Sequence, residues 1–335
     1  MDPLTHTATG LFLGRIGLKR WTPLATPILL LAANAPDIDI VTASGGPLSY
    51  LHYHRHLTHS LAAMPVMALL TVLAVRLVAR KPVNWTGAFF AALIAVASHL
   101  LLDLTNAYGI RLLLPFSAKW LHVDLNNVYD LWIWAIFLLC VAGPFVGRLV
   151  GSEIASGVPA GGHHGRASAW FALLFLLFYD CGRGVLHARA VAALESRLYE
   201  GATPSRVAAL PGPANPMQWK GVADIGDSYA VETVDLLAGF DPTRAQIVYK
   251  PPRDAAVVAA QRTPAFQVME EFSQLPLWRV SPAPDVPGGR MVELSDLRFG
   301  PPNQPAFVAT AVLDSQLHVV RSWFQYGIPL PNQGK

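Results

Sequence analysis

Long runs without a charged side chain constrain this chain more than any other feature. Residues 61–75, 85–102 and 131–147 contain no Asp, Glu, Lys or Arg, and a helix of about 20 apolar residues crosses the roughly 30 Å hydrocarbon core of a bilayer. Each run, with its flanks, can cross. A fourth, 167–179, reaches that length if Asp180 and Arg183 lie at its end or pair. Two shorter candidates, 3–18 and 21–34, joined by Lys19 and Arg20, suit a hairpin packed within the bundle, with marginal spans of their own. Composition agrees: 53% of the residues are hydrophobic and 14% charged, which excludes an ordinary soluble protein. Asp2 and His6 stand where a cleaved signal peptide has a basic start and an apolar core, so none is expected.

Beyond about residue 200 the pattern changes. Of the chain's 27 prolines, 17 fall in 201–335, and the apolar runs become short and alternating. Segments 246–250, 290–294, 306–313 and 318–324 read as strands of period two, cut by turns such as Pro287-Gly288-Gly289. The expected fold is a mainly α-helical multi-pass membrane bundle of about six helices, at least four of them crossing, over residues 1–200. A small, mostly β extramembrane domain follows over 201–335. The Gly-Gly-His-His-Gly stretch at 161–165 reads as a loop between helices. A net charge of +3 without basic runs leaves no electrostatic footprint for nucleic acid. Only two cysteines occur, Cys140 and Cys181, both in apolar stretches. That removes a disulfide framework and cysteine-ligated zinc together.

Residues 1–105 contain four acidic side chains, Asp2, Asp37, Asp39 and Asp103, and no glutamate, yet six of the chain's 11 histidines. At the centre of a membrane helix an ionisable residue costs roughly 2.5–3.5 kcal/mol on insertion scales, so these groups need a function. Alternating crossings put the start of the first helix, the end of the second, the start of the third and the end of the fourth on one membrane face. Those ends carry His6; Asp37 and Asp39; His54 and His59; and His99 with Asp103. The last two, at i and i+4, project from one side of their helix. Carboxylate oxygens with imidazoles suit Zn2+, Mn2+ or Fe2+, and seven candidate ligands suggest two or more ions. Such a centre lowers the pKa of bound water toward about 7 and clamps the attacking and leaving oxygens, the apparatus for phosphoester hydrolysis.

Thr5-His6, Pro36-Asp37-Ile38-Asp39, the His-Arg-x-x-Thr-His-Ser of 54–60, and His99-Leu-Leu-Leu-Asp103 with Tyr108-Gly109 resemble, in combination, the YdjM-like membrane-bound metal-dependent hydrolases. The resemblance covers roughly residues 1–150, and the Asp-Leu-Arg-Phe-Gly of 296–300 is similar to longer members. It implies a distant likeness to the zinc-dependent phospholipase C and nuclease superfamily. Three zinc ions are held there by histidines and aspartates of several helices, a role that would fall here on His6, Asp37, Asp39, His54, His59, His99 and Asp103. The lack of glutamate in the first half of the bundle departs from those relatives.

Bland readings stand beside these. Asp2 before Pro3 suits a helix cap, Asp37 and Asp39 suit a shaped loop, and His99 with Asp103 suits a metal-free hydrogen bond. Thr58 and Ser60 suit capping, and His52 and His56 suit water or lipid headgroups. Arg55 is either an interfacial anchor or a clamp for phosphate, while Asn106, Tyr108 and Asn127 are entrance candidates. Seven basic residues, Lys19, Arg20, Arg76, Arg80, Lys81, Arg148 and Arg166, fall on the face opposite the clusters, against Arg55, Arg111 and Lys119 on the cluster face. The positive-inside rule then puts the site, and the C-terminal domain, outside the cytoplasm of a bacterial-type inner membrane. The expected reaction is hydrolysis of a phosphoester in a membrane lipid or lipid-linked molecule, with Asp37 or Asp39 also a proton acceptor. Another ester or amide is the second enzymatic reading. A metal-stabilised membrane scaffold whose C-terminal domain binds a partner is the non-catalytic alternative, and a transporter is a weaker third class.

Overall fold

The computed structural model describes residues 1–154, 164–252 and 254–326. Its contacts divide the chain into two compact units: 1–39, 55–188 and 211–218 in one; 40–54, 189–210 and 219–335 in the other.

The first unit is the helical bundle. Asp2 caps α1 (Pro3–Ile16) by accepting from the Leu4 and Thr5 amides, so the helix-start reading of that residue holds. The short α2 (Ala25–Ala32) returns against α1, and Gly10 makes the close approach possible. A Cβ there would lie 2.7 Å from the Leu29 carbonyl oxygen. A 3-10 helix, Ala35–Gly45, continues α2 after a 48° bend. The helix expected from residue 61 begins at Met64 as α4 (Met64–Ala79), after a short α3 (Pro47–Tyr53) that the sequence did not announce. Asn84 caps α5 (Trp85–Leu104). Its fully buried Ala88, Ala91, Ala92 and Ala95 lie against α2 and α4. Without a hydrophobic driving force in lipid, small residues at helical spacing are what let backbones approach closely.

Asp130 caps α6 (Leu131–Ile154) through the Trp132 and Ile133 amides. Then α7 (His164–Glu195) is 32 residues long and runs beyond the span of about 20 expected there. Asp180 and Arg183 therefore lie inside the helix, where the Asn126 amide donates to Asp180 and Arg183 donates to the Leu125 and Pro216 carbonyls. Of the stretch expected as a loop, residues 161–163 lie outside the described residues, while His164 and Gly165 already belong to α7. Trp85–Leu104 and Gly165–Glu195 are long and apolar enough to cross a membrane, and each of two bent pairs would add one more span. Leu131–Gly147 is a shorter apolar helix.

The second unit holds two four-stranded antiparallel sheets. The first runs β1 (Arg206–Pro211), β2 (Gln218–Asp224), β3 (Ser228–Asp235) and β4 (Gln246–Tyr249); the second runs β5 (Pro276–Pro282), β6 (Arg290–Asp296), β7 (Phe307–Leu313) and β8 (Val319–Tyr326). Two helices, α8 (Ala255–Gln261) and α9 (Pro264–Phe272), pack on the second sheet, and α3 packs on α9 and β8. Four strands fall where alternation predicted them. In β2, Gly221 lies so close to Leu194 that a Cβ would meet it at 2.7 Å.

The Asp-Leu-Arg-Phe-Gly segment is the clasp of this unit. Asp296 accepts from the Arg298 guanidinium and from the Arg298 and Gln274 amides. Arg298 also donates to the Phe272 carbonyl and stacks over the Phe272 and Phe299 rings. Lys220 of β2 donates to the Leu297 and Gly300 carbonyls, tying the first sheet to the end of β6. Burial pushes the Asp296 carboxyl up, but Arg298 and the amides outweigh it and hold it below the usual carboxylate range. A depressed folded pKa contributes stability that is complete above the unfolded carboxylate value and fades as pH falls below it. Arg298→Ala is expected to destabilise this unit by about 3–5 kcal/mol, the cost of stranding a buried charge. Hydrogen exchange of β5–β8 in the full chain should read that loss, and the gap to wild type should narrow below about pH 4.

Candidate metal centre

The four helix ends predicted to share a membrane face do converge. His6 is in the first turn of α1, Asp37 in the 3-10 helix after α2, His59 just before α4, and His99 with Asp103 in the last turns of α5. Nε2 of His59 lies 3.4 Å from Asp37 Oδ1 and 3.3 Å from Asp103 Oδ2. Nε2 of His99 lies 3.6 Å and 3.3 Å from the same two atoms, and 3.1 Å from Nε2 of His59. Four donor atoms thus sit within 4.8 Å of one another. A tetrahedral ion with bonds of 2.0–2.1 Å separates its ligands by about 3.3 Å, and these spacings match that separation. The buried cluster of His and Asp can hold a metal ion.

Hydrogen bonding points the same way. Nδ1 of His99 is 2.8 Å from the Ala33 carbonyl oxygen, which makes it the protonated nitrogen and leaves the Nε2 lone pair facing the cluster. Asp103 Oδ2 is sealed from solvent and has no hydrogen-bond partner. The metal-free His99–Asp103 hydrogen bond is therefore not formed. Both ring nitrogens of His6 are likewise buried without a hydrogen-bond partner, and its ring stacks on His99 with centroids 3.8 Å apart. Nε2 of His6 lies 3.4 Å from Asp103 Oδ1. Three of the four central side chains are fully covered, whereas Asp37 is 23% exposed, so the cluster opens on the Asp37 side.

Asp39 has a different geometry from Asp37. The two each offer a carboxylate oxygen within 4.8 Å of the other, and Asp37 meets Nε2 of His59. Asp39 Oδ2 instead lies 3.3 Å from Nδ1 of His59, accepts from the Arg55 amide at 2.9 Å and takes the Thr58 hydroxyl at 3.1 Å. It orients His59, leaving that ring's Nε2 for the cluster. Arg55 neither reaches outward to water nor stands ready as a clamp. Its guanidinium is buried against Asp103 Oδ1 at 2.9 Å and donates to Asn106 Oδ1 at 3.0 Å. The Met1 amino group contacts the same Asp103 oxygen.

His54 ends α3 and belongs to the second unit, where its ring stacks on Tyr50. His52 packs edge-on against Tyr53 in that unit. His56 is partly exposed. Ser60 caps the turn before α4 through the Ala63 amide, as expected. Asn106 and Tyr108, expected at an entrance, are buried behind Arg55: Asn106 Oδ1 also accepts from the Tyr108 amide, and the Tyr108 ring lies under the guanidinium. Asn127 binds the Pro211 carbonyl, away from the cluster. Sequence reading missed Asn106 as a support of Arg55; its only signal was a lone amide three residues after Asp103.

The description YdjM inner membrane protein matches residues 1–190. The chain belongs to the YdjM inner membrane protein family. Uncharacterized protein YfhP of Bacillus subtilis is similar, 29% identical over 150 residues, which cover 42% of this chain and 46% of that protein. The chain thus spans just under half the length of that relative. No solved structure matches significantly.

His99→Ala and Asp103→Asn are each expected to abolish retention of a divalent ion by the purified protein. Asp39→Asn should weaken it by about 10–100-fold, since it acts through His59. Element analysis after dialysis against graded chelator distinguishes the two classes.

Proposed function

We propose that this YdjM-family protein is a membrane-bound, metal-dependent hydrolase that cleaves a phosphoester in a lipid or lipid-linked molecule. The observation that carries the reading is Asp103 Oδ2, sealed without a hydrogen-bond donor and facing two imidazole nitrogens. Oxygen and imidazole donors suit Zn2+ first, with Mn2+ or Fe2+ as substitutes. Asp37, His59, His99 and Asp103 would hold one ion. His6, beside Asp103 Oδ1, is the candidate for a second, and His54 for a third. That count follows the resemblance to the zinc-dependent phospholipase C and nuclease superfamily. An ion bound there supplies Lewis acidity toward a phosphoryl oxygen and acidifies a water.

The protein's own groups divide the remaining work. Asp37, the exposed carboxylate, stands where substrate would enter and is placed to take a proton from the attacking water. Asp39 holds His59 in its tautomer, and Arg55 neutralises the inner oxygen of Asp103. Family membership and the apolar helices support an integral membrane protein. We infer a multi-pass topology with the cluster and the C-terminal domain on the extracytoplasmic side, because basic residues crowd the opposite ends. Burial of Arg55 and Arg111 leaves still less exposed positive charge on the cluster side.

Purified protein in lipid vesicles is expected to release phosphorylated headgroup or phosphate from a lipid phosphoester. Activity should disappear with chelator, return with Zn2+ or Mn2+, and fall to background in Asp103→Asn. A protein that retains its ion and consumes no ester supports the scaffold instead. For sidedness, cysteine introduced at exposed Ser315 should react with an impermeant maleimide in intact spheroplasts; reaction only after lysis contradicts the assignment.

A further inference from the structure

A groove of about 480 Å3 runs between α1 and α6, outside the metal cluster, lined by Leu4, Thr7, Ala8 and Leu11 of α1 and by Trp134 and Leu138 of α6 among others. The helices are parallel here: Trp134 Nε1 donates to Asp2 Oδ2 at one end, and Arg15 donates to the Cys140 carbonyl at the other. We propose that this groove holds the hydrocarbon tail of a lipid, namely the tail of the substrate whose phosphoester is presented to the cluster. The proposal rests on the phosphoesterase reading for the tail's identity, but not for the groove's occupancy.

Three observations favour this occupant. The first is the surroundings. Leu4, Leu131 and Leu138, at the groove's margin, are half or more exposed on an apolar helical bundle, so the groove opens to whatever apolar medium surrounds those helices. Leaving such a groove to water would be unfavourable by about 25 cal/mol per Å2 of apolar surface.

Size is the second. At about 480 Å3 the groove has room for a chain one methylene wide. A volume of this order, mostly apolar with a few polar groups at one end, is also typical of a small-ligand site.

Polarity is the third. The end near Leu11, Leu138 and Val141 is wholly apolar, while the end near Leu4 has the Thr5 and Thr7 hydroxyls and the Trp134 indole. A lipid has the same gradient from tail to head. From the polar end the path to the cluster is short: Asn34 Nδ2 donates to Thr7 Oγ1 at 3.0 Å, and the Asp37 amide donates to the Asn34 carbonyl at 3.2 Å. Asp37 is the cluster's exposed member. A headgroup leaving the groove at Thr7 thus arrives on the open side of the site.

The test uses the full-length protein in phosphatidylethanolamine and phosphatidylglycerol vesicles. A trace of phosphatidylglycerol carries a mid-chain diazirine, and labelled peptides are mapped after irradiation. Labelling of Ala135, Leu138 and Val141 is expected to exceed that of Leu174, Leu177 and Phe178 on the exposed face of α7 by about tenfold, which corresponds to about 1.4 kcal/mol of preference. The double variant Ala8→Leu, Ala135→Leu fills the groove and should erase the excess while retaining wild-type metal content. If that variant fails to fold, Val141→Phe closes the apolar end alone. Equal labelling of both helices, or an excess that survives filling, overturns the proposal. The two readings fail separately. Cleavage of a tailed phosphoester without labelling excess sinks the groove alone. An excess without cleavage sinks the phosphoesterase reading and leaves a lipid site. With both correct, the filled variant raises KM for the tailed substrate and leaves a water-soluble phosphodiester unaffected.

Discussion

Everything in the bundle is arranged around the cost of keeping Asp103 ionised among apolar helices. A carboxylate there must be paired, and its two oxygens are paired differently. Oδ1 meets Arg55 and the Met1 amino group; Oδ2 meets only imidazole nitrogens. The first arrangement is an internal ion pair and is satisfied by the chain itself. The second lacks a proton donor and calls for a cation. Close packing delivers these groups to one place. Gly10 lets α1 touch α2, the alanines of α5 let it touch α2 and α4, and each contact brings one helix end to the cluster.

Much of this was legible in the primary structure because scarcity is informative. Four acids and six histidines in an apolar third of the chain, together with alternating helix direction, were enough to put His6, Asp37, Asp39, His54, His59, His99 and Asp103 forward as one set. What could not be read was the division of labour. Asp37 and Asp39 look equivalent as letters, and only the fold separates the residue that meets Nε2 of His59 from the one that meets its Nδ1. Arg55 reads equally as an interfacial anchor or a phosphate clamp, and only the fold shows its guanidinium turned inward onto Asp103 and Asn106.

The other mismatches have local causes too. The length of α7 was underestimated because Asp180 and Arg183 interrupt its hydropathy, yet distant carbonyls and an amide partner them. Segment 40–54 lies between bundle segments in sequence but packs with the C-terminal unit, through contacts of α3 to α9 and β8 that no local pattern announces. In that unit, β4 and β6–β8 fall in the segments read as strands, whereas β2, with Lys220 and Gly221 among its apolar residues, was not read as one.

X-ray absorption at the zinc, manganese and iron edges, on protein isolated from membranes without chelator, tests the central claim most directly. The account predicts a stoichiometric ion with nitrogen and oxygen neighbours at about 2.0–2.2 Å, including outer-shell scattering from two imidazoles. A protein that folds with His59 and His99 in place and carries no ion, or one bound only by oxygen, contradicts it.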